Sequence, residues 1–150
     1  MALVYEFVLD GAISLDEIAA RVFPGRTERF VPFEDILTAD CYQEFGFGLT
    51  LRSDRNGYFG ALVDGEDWEW EPASYVGVTF RMDKDLDRQI VGPRNMLEIV
   101  ARLLATGSED AVLMFNGDSL LLTRFGGVIR KYDRPMWWDD DPDADGLIPG

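Results

Sequence analysis

Five carboxylates and two indoles share the eight residues Asp64-Gly65-Glu66-Asp67-Trp68-Glu69-Trp70-Glu71, with no base among them. Along an extended strand successive side chains point to opposite faces, so Trp68 and Trp70 would share one side and Glu69 and Glu71 the other. Two readings of that pattern stay open. In the first, an edge strand closes the core with its Trp pair while the acids blunt the edge against further pairing. In the second, the segment is an interface: Trp anchors carry disproportionate binding energy, and an acidic surround steers a basic partner. Met136-Trp137-Trp138, directly ahead of Asp139-Asp140-Asp141, repeats the aromatic-beside-acid arrangement. The candidate partner-binding residues are therefore Glu66, Asp67, Trp68, Glu69, Trp70, Glu71, Trp137 and Trp138.

Other chemistry finds less support. The chain has 150 residues, 14 Lys+Arg against 28 Asp+Glu, a net charge of −14 and no His. Without His there is no Ser-His or Cys-His nucleophile pair, no His general base and no HExxH zinc site. So acidic a chain is a poor sequence-independent nucleic-acid binder, because that affinity rests on Lys and Arg at phosphates. Asp141-Pro142-Asp143-Ala144-Asp145-Gly146 matches the opening of a calcium loop, D-x-D-x-D-G. The bidentate Glu of such a loop would fall at position 152, and Pro142 stands inside it, so a solvated acidic stretch is expected instead. Gly46-Phe47-Gly48 lacks the third Gly of a dinucleotide fingerprint, Leu51 standing in its place, and a strand rather than a helix follows. Glycosidase-like work needs two carboxyls at fixed separation with one raised by burial, and only Glu69 has an apolar setting that hints at this. Cys41 is alone, cannot form an intrachain disulfide and reads as a small core hydrophobe. No catalytic residue, metal or cofactor is expected.

The elements that must carry these residues can be read from periodicity. Leu3, Tyr5, Phe7 and Leu9 alternate with Val4, Glu6 and Val8 as a first strand. Ser14-Leu15-Asp16-Glu17 has the form of a capping box, followed by the apolar face Leu15, Ile18, Ala19, Val22 and Phe23, and Pro24-Gly25 ends the helix. Ile36 to Tyr42 and Phe47 to Ser53 suit strands. Asn56-Gly57 reads as a hairpin turn leading into a partner strand from Tyr58 to Val63. Val76, Val78, Phe80 and Met82 give a strand with one apolar and one mixed face. A second helix begins near Gly92-Pro93, carries Met96, Ile99, Val100, Leu103 and Leu104 on one stripe, and ends at Gly107. Ala111–Phe115, Leu120–Arg124 and Val128–Tyr132 form a meander. The expected fold is α+β: a single domain over residues 1–138, with a curved, mostly antiparallel sheet of about seven or eight strands and both helices on one face. Residues 139–150 are expected as an acidic, flexible tail. The start of the chain has no basic leader and no apolar run approaches the ~18 residues that span a bilayer, so a cytoplasmic protein without a membrane partner is expected.

A family resemblance adds to this reading. It is carried by Leu3 and Tyr5 ahead of the Ser14–Glu17 helix start, and by Val78-Thr79-Phe80-Arg81-Met82-Asp83-Lys84. Met96-Leu97 with Leu103-Leu104, Asp110 through Gly117, Leu120-Leu121-Leu122 with Arg124, and Trp137 or Trp138 complete it. On these framework positions the chain resembles the Sit immunity family, the antidote proteins of bacterial contact-dependent swarming-inhibition toxin systems. The acidic Trp segment and the Asp-rich end lie outside that pattern. The resemblance implies a small cytoplasmic protein that binds and neutralises a cognate toxin without catalysis. The charge of the chain adds that this toxin is basic. The alternative is an acidic interaction module, or a nucleic-acid mimic, with no toxin partner.

Overall fold

The computed structural model describes residues 3–85 and 90–150. Met1 and Ala2, on which part of the leader reading rests, lie outside the described residues. The strands are β1 (Val4–Asp10), β2 (Val31–Phe33), β3 (Ile36–Cys41), β4 (Phe47–Arg55), β5 (Phe59–Val63), β6 (Glu66–Trp70), β7 (Ser74–Met82), β8 (Ala111–Phe115), β9 (Ser119–Phe125) and β10 (Val128–Lys131). The longer helices are α1 (Leu15–Val22) and α3 (Val91–Ala105); α2 (Tyr42–Phe45) and α4 (Pro142–Asp145) are single turns.

Eight strands form one antiparallel sheet in the order β10-β9-β8-β1-β7-β4-β3-β2, and β5 and β6 form a separate two-stranded sheet. The fold is α+β, as the periodicities predict. Strand alternation divides the large sheet into two faces. Tyr5, Phe7 and Leu9 of β1 point with Phe47, Leu49, Leu51, Val78 and Phe80 into the main core, where Ile18 and Val22 of α1 and Met96, Val100 and Leu103 of α3 cover them. Burial of such side chains stabilises by about 1.5–3 kcal/mol each, which makes this layer the main source of stability. A second, smaller core lies on the opposite face, where Val112, Met114 and Leu120 are buried under Phe59, Ala61, Val63, Trp68 and Trp70 of the β5–β6 hairpin.

Local chemistry explains the helix ends. The Ser14 hydroxyl accepts from the Glu17 N–H at 3.1 Å, fixing the start of α1. Pro93 is the third residue of α3 rather than the first, still inside the turn whose N–H groups have no intrahelical acceptor. The Thr106 N–H, not Gly107, closes that helix, donating to the Arg102 carbonyl at 3.0 Å. Gly107 serves another purpose: a Cβ there would collide with the Glu109 carboxylate and the Arg21 guanidinium.

One expectation is corrected. Asn56-Gly57 does not close a hairpin between β4 and β5. The Asn56 N–H donates to Ala73 O at 2.8 Å and that of Gly57 to Pro72 O at 2.9 Å, so β4 runs on beside β7 to the Arg55–Ser74 pair. The chain then leaves the sheet, and β5 pairs with β6 around Asp64-Gly65. Residues 139–150, expected as an acidic tail, make contacts with the body of the domain. Ala144 and Ile148 are buried, and Asp141 and Asp145 are held by Arg94 and Lys131 at 2.5 and 2.6 Å. Apolar side chains at 144 and 148 give this segment a face to bury, and the two carboxylates meet cations already fixed on α3 and β10.

Candidate partner interface

The β5–β6 hairpin is shaped by its turn and its alternation. Asp64 and Gly65 adopt positive φ values of 52° and 81°, the conformation that matches the twist of a two-residue hairpin. The register Phe59↔Trp70, Ala61↔Trp68 and Val63↔Glu66 then sends both indoles toward the large sheet. Trp70 packs edge-on to Phe125 at 5.7 Å and tilted to Phe59 at 5.8 Å, and Phe59 meets Tyr75 of β7 edge-on at 5.2 Å. These contacts fasten the hairpin to the sheet.

Asp67 and Glu69 consequently point outward, with Glu66 at the tip end and Glu71 just beyond the strand; all four are exposed. Among the described residues no Lys or Arg pairs with them. Among the described residues their one side-chain partner is Tyr58, whose hydroxyl donates to Glu69 Oε1 at 2.9 Å. That bond pushes the Tyr58 hydroxyl above its ordinary pKa. The outcome is an outward ridge of Asp67, Glu69 and Glu71, with Glu66 beside the tip on the side of the indoles, and no Lys or Arg among the described residues compensates it.

The second aromatic-beside-acid segment lies elsewhere. Trp138 is buried on the helix side of the sheet, its Nε1 donating to Leu121 O at 2.9 Å and its ring lying 4.4 Å from Lys131 Nζ. The Trp138 ring is thus a core element. Trp137 is half-buried, donates to the Tyr5 hydroxyl at 3.0 Å and stacks edge-on to Trp138 at 4.7 Å. The candidate residues therefore split, with Glu66, Asp67, Trp68, Glu69, Trp70 and Glu71 together on the outer layer and Trp137 and Trp138 on the opposite face.

Sequence reasoning missed the floor beside the ridge. Glu6 of β1 points to the hairpin side and is half-buried. It leans across Gly77, where a Cβ would stand 2.9 Å from its Oε2. Burial raises the Glu6 carboxyl above its ordinary value, and the charge of Arg52 works the other way. The signal was present in the alternation of β1 and in the mixed face of β7, where Gly77, Thr79 and Arg81 stand between apolar residues.

Nucleophiles are poorly served. Cys41 is buried, and burial pushes its thiol up, which disfavours the reactive thiolate. No group of three or more His, Cys, Asp or Glu side chains able to hold a metal ion occurs among the described residues. No helix among them is long and apolar enough to cross a membrane.

The architecture is that of a one-domain α+β scaffold presenting a charged outer layer. The SitI3-like family matches residues 3–142, and the chain belongs to that family. The resemblance to the Sit immunity proteins is thereby borne out, and membership of an immunity family implies a toxin as the general kind of partner. No curated protein and no solved structure matches the chain.

Proposed function

We propose that this protein is a cytoplasmic immunity protein that binds a cognate, basic toxin and neutralises it by occlusion, without turnover. The observation that carries this is the ridge of Asp67, Glu69 and Glu71, with Glu66 at its tip, carried on a hairpin that two inward indoles pack onto the sheet and left without cationic partners among the described residues. Uncompensated like charges in a row cost stability through mutual repulsion, and a cationic partner relieves that cost. Such a field also steers encounter, lifting association toward ~10⁸–10⁹ M⁻¹s⁻¹ at low salt, which suits an antidote that must arrive before the toxin's target. Family membership supports the same reading.

The test is co-expression with each toxin encoded beside this protein's gene. Wild-type protein should restore growth, and the quadruple variant E66Q/D67N/E69Q/E71Q should restore it less well at equal abundance. Failure with every such toxin would overturn the proposal. Equal binding to several unrelated basic proteins, uniformly weakened by salt, would favour an interaction module without a dedicated toxin.

A further inference from the structure

The outer layer is only two strands wide over an eight-stranded floor. Its closing pair, Val63 and Glu66, flanks a two-residue turn, so the residues directly opposite exchange both backbone bonds at Val63–Glu66, Ala61–Trp68 and Phe59–Trp70. The N–H and C=O groups of Gly60 and Leu62 then point away from β6. That edge of β5 pairs with no other strand among the described residues. It borders a groove of about 930 Å³ whose lining includes Glu6, Asp67, Glu69, Met114 and Asp118.

The groove combines three features that point to one kind of occupant. Its rim offers unpaired strand donors and acceptors at Gly60 and Leu62, which recognise extended backbone. Four carboxylates surround it: Glu6 in the floor, Asp67 and Glu69 on the hairpin, and Asp118 at the β8–β9 turn. Glu6 accepts no hydrogen bond from the described residues, and the charge that offsets it is that of Arg52 on β4. Leu62 is 71% exposed, an apolar side chain left in water beside the free edge.

We infer that the free edge of β5 receives an extended, basic segment of the toxin, which adds as a third strand to the outer layer and sets Lys or Arg side chains over Glu6. This deepens the immunity reading and rests on it for the identity of the partner. Strand addition supplies affinity through backbone bonds, and the acidic groove selects alternating cationic side chains. The ridge steers the toxin in, and the groove holds one of its strands.

The probe is the peptide acetyl-Arg-Val-Arg-Val-Arg-amide, added to the ¹⁵N-labelled full-length protein while backbone amide shifts are followed. Saturable shifts should concentrate at Gly60, Leu62 and Glu6, and the Glu-for-Arg peptide should leave them unmoved. Leu62→Pro removes an edge donor without touching the β5–β6 bonds, whereas Leu62→Ala keeps it. Leu62→Pro should therefore bind about tenfold more weakly than Leu62→Ala. Glu6→Gln tests the floor independently should the Pro variant fail to fold, and it should weaken binding and flatten its salt dependence.

Unmoved amides at Gly60 and Leu62, equal binding by the Pro and Ala variants, or wild-type binding by Glu6→Gln would each overturn the inference. So would a concentration-dependent dimer that occupies this edge with a second copy. Growth rescue that survives Leu62→Pro and Glu6→Gln undiminished sinks the groove and leaves the immunity reading standing. Peptide binding as described, with no rescue by any neighbouring toxin, does the reverse.

Discussion

Trp68→Ala and Trp70→Ala separate the two roles that the sequence left open for these indoles. Full truncation of a buried Trp costs about 3–5 kcal/mol, and both rings here are half-buried. About 2 kcal/mol each is therefore expected, Trp70 losing more through its contacts with Phe59 and Phe125 at 5.8 and 5.7 Å. The two share the small core over Val112, Met114 and Leu120, so the double variant should fall short of the sum, at about 3 kcal/mol. For a chain of this size that lowers Tm by roughly 6–12 °C. Differential scanning calorimetry of the single and double variants measures it, with toxin affinity determined well below the melt. A double variant that melts with the wild type while losing all toxin binding would refute the packing argument and make the indoles direct anchors.

Other consequences follow from the ion pairs. Arg21 Nη1 meets Glu109 Oε2 at 3.0 Å, and Arg124, whose side chain is 8% exposed, donates through Nε to the Glu109 carbonyl at 2.9 Å. Glu109→Gln should cost about 2–4 kcal/mol in urea denaturation, because the guanidinium groups stay buried without their counter-charge. Burial works to raise the Glu109 carboxyl, but the Arg21 hydrogen bonds, a bond from its own backbone and the charges of Arg21 and Arg124 together outweigh it and hold the group below its ordinary value. A carboxyl lower in the folded than in the unfolded chain stabilises above its unfolded value and loses that contribution as pH falls through its folded one. The wild type should thus lose stability below about pH 4.5 more steeply than Glu109→Gln does. Lys131, with a side chain 2% exposed, donates to Asp145 Oδ1 at 2.6 Å and to the Ile148 carbonyl, and lies over the Trp138 ring. Lys131→Met should release the last residues of the chain, and limited proteolysis should then cut after Asp139 under conditions that leave the wild type intact.

The fold was legible wherever periodicity and local caps agree. The Ser14–Glu17 box, the stripe of α3 and the β8–β9–β10 meander required only neighbours in sequence. Asn56-Gly57 misled because the same turn chemistry serves a hairpin or a departure from the sheet; the choice belongs to β7, whose Ser74 pairs with Arg55. The contacts of the Asp-rich end were not legible for a similar reason. Composition shows Asp141 as one charge in a run, whereas its partner Arg94 lies 47 residues earlier in sequence. The ridge was visible as a pattern and the sidedness of Trp68 and Trp70 follows from alternation. Glu6 was not singled out, since its place in the groove depends on the hairpin packing over the open face of the sheet.

The salt dependence of the toxin association rate tests the central claim most directly. Stopped-flow measurement from low to high ionic strength should show a rate that falls steeply as salt rises. E66Q/D67N/E69Q/E71Q should start lower and fall less, with its dissociation rate little changed and its Tm no lower than that of the wild type. A toxin that associates at a salt-independent rate, equally fast with the wild type and the variant, would contradict an acidic ridge as the surface that meets it.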